Sequence, residues 1–241
     1  MSKLLIIVFT TDTRAYEKIK IPFFTEIRVE TVKPGYAEAL EKVGCTAVAM
    51  GVESGSIDLR KNLLKRFMPD TTIVKGFNEF EKTGIRISAN NIIGFPGETR
   101  EDLMLTIELN RKINPDSVIV NAFRPYAGTQ LRSICIKKGL IPKEERAEDN
   151  RVYGAFYNGA LSGEELENIR KVFALYVTFP KSKWKEIRKA EKDDVLYNKL
   201  MKEDQANRIL HRKKRKIHPN NLHENIEAHE VFINDPESIS I

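Results

Sequence analysis

The chain has 241 residues, of which 41% are hydrophobic and 31% charged, with a formal net charge of +6 at neutral pH. This length suffices for a full hydrophobic core, and no apolar stretch approaches the roughly 20 residues that a membrane-spanning helix needs. Cys45 and Cys135 are isolated and far apart, which gives no sign of a disulfide framework and is typical of a reducing compartment. We therefore expect a cytoplasmic, globular protein with no membrane partner.

Short apolar runs alternate with helical patterns along the first half of the chain. The runs predict strands at residues 4–9, 24–29, 47–52, 86–93 and 117–123. Helices are predicted at residues 34–43, 56–66, 70–83, 99–113 and 129–138. Thr99 and Asp102 approximate a capping box, while Gly44 and Gly84 fall where left-handed helix caps are expected. Because parallel neighbours need crossovers, this alternation predicts an α/β protein with a parallel sheet, either an open barrel or a doubly wound sheet.

The pattern changes beyond Pro125. Residues 151–161 form an irregular aromatic stretch, which suits either substrate contacts or packing against the sheet. An amphipathic helix is predicted to begin at Ser162, and a further charged helix spans residues 184–200. Residues 211–241 contain too few apolar side chains to pack well, so we expect them to be loosely ordered.

Two polar, glycine-containing turns follow successive predicted strands. Residues 51–56 place a carboxylate in Glu53 beside the hydroxyls of Ser54 and Ser56, which suit ribose hydroxyls or an ammonium group. Residues 94–99 let the backbone approach an adenine or a carboxylate and lead into a helix N-terminus. Both turns are predicted at the carboxyl edge of the sheet. Each also has a purely structural interpretation: Ser56 caps the next helix, and Glu53 pairs with a nearby Arg or Lys.

The C-terminal tail carries two weaker patterns. The basic run at residues 212–216 could meet phosphates, but no aromatic residues interleave with it to stack bases, so nucleic-acid binding is not favoured. The group formed by His223, Glu227, His229 and Glu230 contains metal-ligand types, but no predicted element fixes their positions. We therefore predict no metal site, and the sequence assigns no catalytic residue.

Several motifs in order along the chain resemble the radical S-adenosylmethionine (SAM) superfamily. They are Val-Gly-Cys at residues 43–45, Met-Gly-Val-Glu-Ser-Gly-Ser at 50–56, the run at 59–66, Ile-Ile-Gly-Phe-Pro-Gly-Glu-Thr at 92–99 and Phe-Arg-Pro-Tyr-Ala-Gly-Thr at 123–129. The branch with an N-terminal cobalamin-binding domain is the most similar, and the match extends from about Phe9 to about Lys138. This resemblance implies a partial TIM-like (β/α) barrel of about five parallel strands with a helical C-terminal extension. The corresponding domains would be residues 1–138, 139–180 and 181–241.

The resemblance also implies a ligand site. Enzymes of this superfamily bind SAM to a four-iron, four-sulfur cluster and split it reductively to a 5′-deoxyadenosyl radical, and cobalamin is a further cofactor expected in a full-length relative. By resemblance, Glu53 and Ser54 would contact the ribose or methionyl part of SAM, and Ile93 and Gly94 would meet the adenine through their backbone. Asn121 would close the other side of the ligand. Glu98 is expected to hold its own loop.

The cluster-binding Cys-x-x-x-Cys-x-x-Cys segment of the family does not occur in this sequence, and Cys45 and Cys135 do not replace it, because three thiolates must come from one loop. We therefore expect a portion truncated at its N-terminus, acting as a fragment or as a cluster-less subunit whose cluster loop lies on an upstream polypeptide. Two alternatives stay open: a non-catalytic binding or scaffold protein derived from the fold, and a nucleic-acid-associated module. The substrate, a small molecule or a peptide, is not identified by the sequence.

Overall fold

The computed structural model describes residues 21–143 and 157–212. Four strands form one parallel sheet in the order β1-β2-β3-β4, with bounds β1 Phe23–Ile27, β2 Cys45–Glu53, β3 Arg86–Ile93 and β4 Ser117–Ala122. The predicted α/β class and parallel sheet are confirmed, and this sheet is consistent with a partial TIM-like barrel. The predicted strand at residues 4–9 lies outside the described residues. Since all four strands run the same way, their carboxyl ends share one edge.

Seven α-helices occur within the described residues. Their bounds are α1 Tyr36–Lys42, α2 Asp70–Asn78, α3 Arg100–Ile113, α4 Gln130–Lys137, α5 Gly163–Thr178, α6 Trp184–Ala190 and α7 Asp194–Arg212. The predicted capping box of Thr99 and Asp102 is present at the start of α3. None of the described helices is long and apolar enough to cross a bilayer.

Some predicted elements differ from the structure. The helix expected at residues 56–66 is replaced by a π-helical turn, Leu59–Leu63, because the N–H of Leu64 bonds the Leu59 carbonyl while the Arg60 side chain turns into the core. The helix expected at 184–200 is divided into α6 and α7. Gly44 is left-handed, with φ of 92°, as predicted, but Gly84 is not among the residues with positive φ, and its N–H bonds the Glu41 carboxylate.

The two faces of the sheet differ in character. Alternate residues of the strands, such as Val48, Met50 and Ile87, join a hydrophobic core with α1, α2 and the end of α3, and this side is the outer face of the sheet. The intervening residues form the opposite, inner face. Strand register places Gly51 beside Asn90 and Asn90 beside Ile119 on this inner face. The period-2 alternation therefore separates a packed side from a side that carries glycine, polar and partly exposed residues.

A second core joins the C-terminal helices to β3 and β4. Ile93, Leu103 and Leu166 are fully buried in it, together with residues of α5, α6 and α7. The Arg111 guanidinium of α3 donates to three carbonyls at the end of α5, those of Tyr176, Val177 and Phe179, at 2.6–2.8 Å. The C-terminal helices are thus packed onto the same sheet whose edge carries the two predicted ligand turns.

Candidate functional site

Glu53 ends β2 at the carboxyl edge in a left-handed conformation, with φ of 63°. Its side chain folds back over Gly51 on the inner face, where a β-carbon added to Gly51 would collide with the Glu53 carboxylate. The register of β2 against β3 shifts between Gly51 and Glu53. Gly51 is therefore the residue that leaves room for the carboxylate above the sheet.

Arg66 is the charge partner of Glu53. Its Nη1 donates to Glu53 Oε1 at 3.2 Å and to the Gly51 carbonyl at 3.1 Å, and its Nη2 donates to Glu30 at 2.9 Å. Burial raises the pKa of Glu53, and the Arg66 guanidinium offsets only part of that effect. Burial alone would also raise the pKa of Glu30, but hydrogen bonds from its own backbone N–H and from Arg28 and Arg66 lower it. The ion pair that the sequence offered as the structural interpretation of Glu53 is present.

The residues after Glu53 are packed tightly against α3. Ser54 is fully buried, and its carbonyl accepts a 2.7 Å hydrogen bond from the buried Arg60 guanidinium. The N–H of Gly55 donates to Thr106 Oγ1 at 2.7 Å, and a β-carbon at Gly55 would collide with the backbone of α3. The Ser56 hydroxyl accepts a 3.5 Å hydrogen bond from the N–H of Leu59. Helix α3 begins directly after the second turn, so it links the two turns physically.

The second turn is held from within by Glu98. Glu98 is fully buried, and its Oε2 accepts hydrogen bonds from the N–H groups of Gly94 at 2.5 Å and Phe95 at 3.1 Å. Burial raises the pKa of Glu98 to about 8, although these two N–H donors act in the opposite direction. The structure agrees with the expectation that Glu98 holds its own loop.

Asn158, which is not part of the turn, also holds it in place. It is fully buried, and its Nδ2 donates to the carbonyls of Phe95 at 3.1 Å and Glu98 at 2.9 Å. Its own carbonyl accepts the N–H of Gly97 at 2.7 Å. The turn at residues 94–99 is therefore fixed by a residue about 60 positions further along the chain.

All five residues predicted to contact the ligand lie at or near the carboxyl edge, but they present different groups there. Glu53 and the exposed Asn121 place polar side chains on the inner face. The side chains of Ser54 and Ile93 are buried, and Ile93 packs toward the helices. The Gly94 N–H is used by Glu98, so Gly94 contributes its shape: φ is 87° and Leu166 lies under it.

Sequence reasoning missed several groups on or near the inner face. Asn90 Oδ1 is buried and has no hydrogen-bond partner among the described residues. Ile92 and Ile119 flank Asn90 and Asn121 there as partly exposed apolar surface. Their period-2 spacing within β3 and β4 is the signal that would have found them.

The two cysteines do not form a metal site. Cys45 lies in the outer core and burial raises the pKa of its thiol to about 12, while Cys135 is buried in a separate cluster with Phe95 and Phe123. No group of three potential metal ligands occurs among the described residues. Several predicted features lie outside the described residues. They are the basic run after Arg212, most of the aromatic stretch 151–161, and the tail residues His223, Glu227, His229 and Glu230.

Comparison with known proteins agrees with the resemblance found in the sequence motifs. The family model for the radical SAM superfamily matches residues 4–109. The chain is 31% identical over 125 residues to an uncharacterized methyltransferase of Pyrococcus horikoshii, covering 52% of this chain and 27% of that protein. It is 30% identical over 110 residues to a tRNA-2-methylthio-N(6)-dimethylallyladenosine synthase of Desulfosudis oleivorans, covering 43% and 23%. It is 28% identical over 127 residues to a threonylcarbamoyladenosine tRNA methylthiotransferase of Thermotoga maritima, covering 52% and 29%. The chain thus spans about a quarter of the length of the curated relatives that it matches.

Proposed function

Because residues 4–109 are a radical SAM superfamily domain, we propose that this chain is the SAM-binding portion of a radical SAM enzyme. The single observation that carries the proposal is the pair of turns at residues 51–56 and 94–99, which leave neighbouring parallel strands at one edge and are joined through α3. A ligand at the carboxyl edge of a parallel sheet meets the ends of several strands at once. SAM consists of a nucleoside and a charged methionyl group, so its binding needs contacts from more than one strand end.

The residues of the inner face suit the ligand. The Glu53 carboxylate, balanced by Arg66, is an acceptor for vicinal ribose hydroxyls or for the ammonium group. Ile92 and Ile119 offer apolar surface to an adenine ring, and Asn90 supplies a buried oxygen that has no partner among the described residues. Asn121 closes the far side. Ser54, Ile93 and Gly94 fix the strand ends from which these groups project.

When bound in this superfamily, SAM supplies radical chemistry that begins with its reductive cleavage at an iron–sulfur cluster. The thiols of this chain do not fit such a cluster, since the sequence contains two cysteines and they lie in separate hydrophobic cores. The proposal therefore includes a cluster loop supplied by another polypeptide segment. The residues of this chain bind and orient the nucleoside and limit its contact with water.

The names of the relatives suggest the reaction class. Of the relatives described above, one is named as a tRNA-2-methylthio-N(6)-dimethylallyladenosine synthase, one as a tRNA methylthiotransferase and one as an uncharacterized methyltransferase. We extend the proposal to transfer of a one-carbon or methylthio group in the cytoplasm. We also propose cobalamin as a cofactor of a full-length relative.

Titration calorimetry with SAM tests the proposal. Wild-type protein is expected to bind, and Glu53→Gln is expected to weaken binding about tenfold or more because the amide loses the charge and accepts fewer hydrogen bonds. Glu41→Gln is the matched control, because Glu41 bonds the N–H of Gly84, just before the opposite end of β3. Absence of binding to the wild-type protein would overturn the proposal.

A second pair of variants tests the other turn. Gly94→Val places a branched side chain at φ of 87° and against Leu166, so SAM binding should be lost. Gly139→Ala also replaces a left-handed glycine, with φ of 67°, but it has open space around it. Equal SAM affinity of these two variants would contradict the assignment of the turn at 94–99.

A binding protein without radical chemistry is the second candidate. The presence of only two cysteines in the sequence favours it. Anaerobic reconstitution with iron and sulfide, in the presence of the polypeptide that would carry the cluster loop, distinguishes the two functions. A visible cluster absorption band that shifts on addition of SAM supports the enzyme, whereas SAM binding without any cluster supports the binding protein.

A further inference from the structure

Asn158 lies well outside residues 4–109, yet it makes three hydrogen bonds to the turn at residues 94–99. Two run from its side-chain amide to the carbonyls of Phe95 and Glu98, and one runs from the N–H of Gly97 to its own carbonyl. Together they fix three peptide groups of the turn: the one after Phe95, the one before Gly97 and the one after Glu98.

The remaining polar atoms of Asn158 fix its own position. Its Oδ1 accepts hydrogen bonds from the N–H groups of Ala160 at 2.9 Å and Leu161 at 2.8 Å, and its N–H donates to the Leu161 carbonyl at 3.2 Å. Leu161 packs in the second core, and α5 begins at once after the Ser162 cap. The side chain therefore connects the turn to the rigid start of α5.

Helix α5 reinforces this arrangement at a second point. Leu166, one turn into the helix, lies directly below Gly94 and packs with Ile93 and Leu103. The turn is thus held by Asn158 at Phe95, Gly97 and Glu98, and by Leu166 at Gly94. A loop that is already ordered before the ligand arrives loses less conformational entropy on binding, which raises affinity.

We propose that Asn158 is a positioning residue for SAM, so that the segment from Asn158 to Leu166 holds the turn that forms the ligand site. This inference rests on the proposed function. Asn158 acts on the ligand through the turn at 94–99 and does not need to touch it. The asparagine side chain is required because it donates two hydrogen bonds to carbonyls while accepting two from backbone N–H groups.

Two variants of Asn158 test the inference. Asn158→Asp keeps the shape but places a carboxylate oxygen against the carbonyls of Phe95 and Glu98, and Asn158→Ser removes the same donors with a smaller, uncharged group. For both variants we expect at least a tenfold increase in the Kd for SAM, measured by calorimetry far below the unfolding temperature. We also expect hydrogen exchange of the Gly94 and Gly97 amides to accelerate at least tenfold in the ligand-free protein.

Thr83→Val is the matched control. The buried Thr83 hydroxyl donates to the Phe80 carbonyl at 2.8 Å shortly before β3 begins, so this variant also removes a buried side-chain bond to the backbone, at the opposite edge of the sheet. It should reduce stability without changing the Kd or the exchange of Gly94 and Gly97.

The outcomes separate the two proposals. If both Asn158 variants bind SAM as the wild type does, Asn158 has a merely structural role and the inference is overturned, while the proposed function stands. If the wild type fails to bind SAM, the proposed function falls and the inference falls with it. Faster exchange at Gly97 together with weaker binding supports the inference.

Discussion

The turns after β2 and β3 occupy equivalent places at the edge of one sheet, but different chemistry holds them. The turn after β2 depends on charge: Arg66 joins Glu53 to Glu30, and the buried Arg60 guanidinium lies against the Ser54 carbonyl. The turn after β3 is held by hydrogen bonds of the Asn158 amide and of Glu98, and burial raises the pKa of the Glu98 carboxyl to about 8. The strand order fixes where both turns lie, whereas the residues that reach each turn from other elements decide how its stability responds to pH.

The largest expected effect concerns Glu98. Burial raises its pKa in the folded protein to about 8 from an ordinary value of 4.5, so the folded state binds the proton more tightly than the unfolded state. The stability that this contributes is complete below about pH 4.5 and is lost as the pH rises toward about 8. Glu98→Gln should remove this dependence, which amounts to at most about 4 kcal/mol across the interval.

Chemical denaturation at a series of pH values measures this effect. Relative to the wild type, Glu98→Gln should become progressively more stable as the pH rises. A constant difference between the two proteins from about pH 4.5 to about pH 8 would contradict a protonated Glu98 in the turn.

The second effect concerns the contact between the first turn and α3. Gly55→Ala would force a β-carbon into the backbone at Leu105 and Thr106, and we expect a loss of about 3 kcal/mol in the free energy of unfolding. Gly35→Ala is the matched control, since Gly35 has the unfavourable φ of 83° but open space around it, and should cost about 1 kcal/mol. If urea denaturation ranks the two variants in the reverse order, close packing of the first turn on α3 is wrong.

A third, smaller effect concerns the cap of α3. Thr99 and Asp102 exchange hydrogen bonds of 3.0–3.2 Å between side chain and backbone, and Thr99→Ala should cost about 1 kcal/mol in thermal or urea denaturation. Ser162→Ala removes the equivalent capping box of α5 and should cost about the same. A much larger loss for Thr99→Ala would show that the cap, more than Asn158 and Glu98, holds the second turn.

The smallest effect concerns Glu30, which pairs with Arg66 beside the turn after β2. Partial burial alone would raise the pKa of Glu30, but hydrogen bonds from its own backbone N–H and from Arg28 and Arg66 lower it, so its contribution is present above about pH 4.5 and is lost as the pH falls further. Glu30→Gln should therefore reduce stability at neutral pH by about 0.5 kcal/mol, with the difference vanishing in acid. This sign is opposite to that of Glu98, and the same sign for both variants would remove the contrast between the two turns.

Much of the carboxyl edge of the sheet could be predicted from the sequence, because the patterns that indicate its strands and caps are local. Strand β3 has the predicted bounds, since its apolar run is flanked by a loop and a glycine turn, and the Thr99 cap lies where its spacing places it. The helix predicted at residues 70–83 starts at Asp70 but ends at Asn78. Helix ends depend on tertiary contacts that a local pattern does not contain.

The residues that hold the two turns in place could not be predicted from the sequence. Arg60 belongs to a run that is typical of an exposed charged helix, yet it is fully buried because Asp70 and the Ser54 carbonyl are brought around it. Asn158 has no neighbour in sequence that indicates its partners, which lie about 60 residues earlier. Both residues gain their roles from contacts distant along the chain, whereas periodicity and capping patterns report neighbours only.

Hydrogen exchange with and without SAM tests the central claim most directly, because it reports both turns in one experiment. We expect SAM to slow the exchange of backbone amides in residues 51–56 and in residues 94–99 together, while the exchange of the α1 amides is unchanged. Slower exchange in only one of the two turns, or in neither, would contradict a single ligand site shared by the ends of β2 and β3.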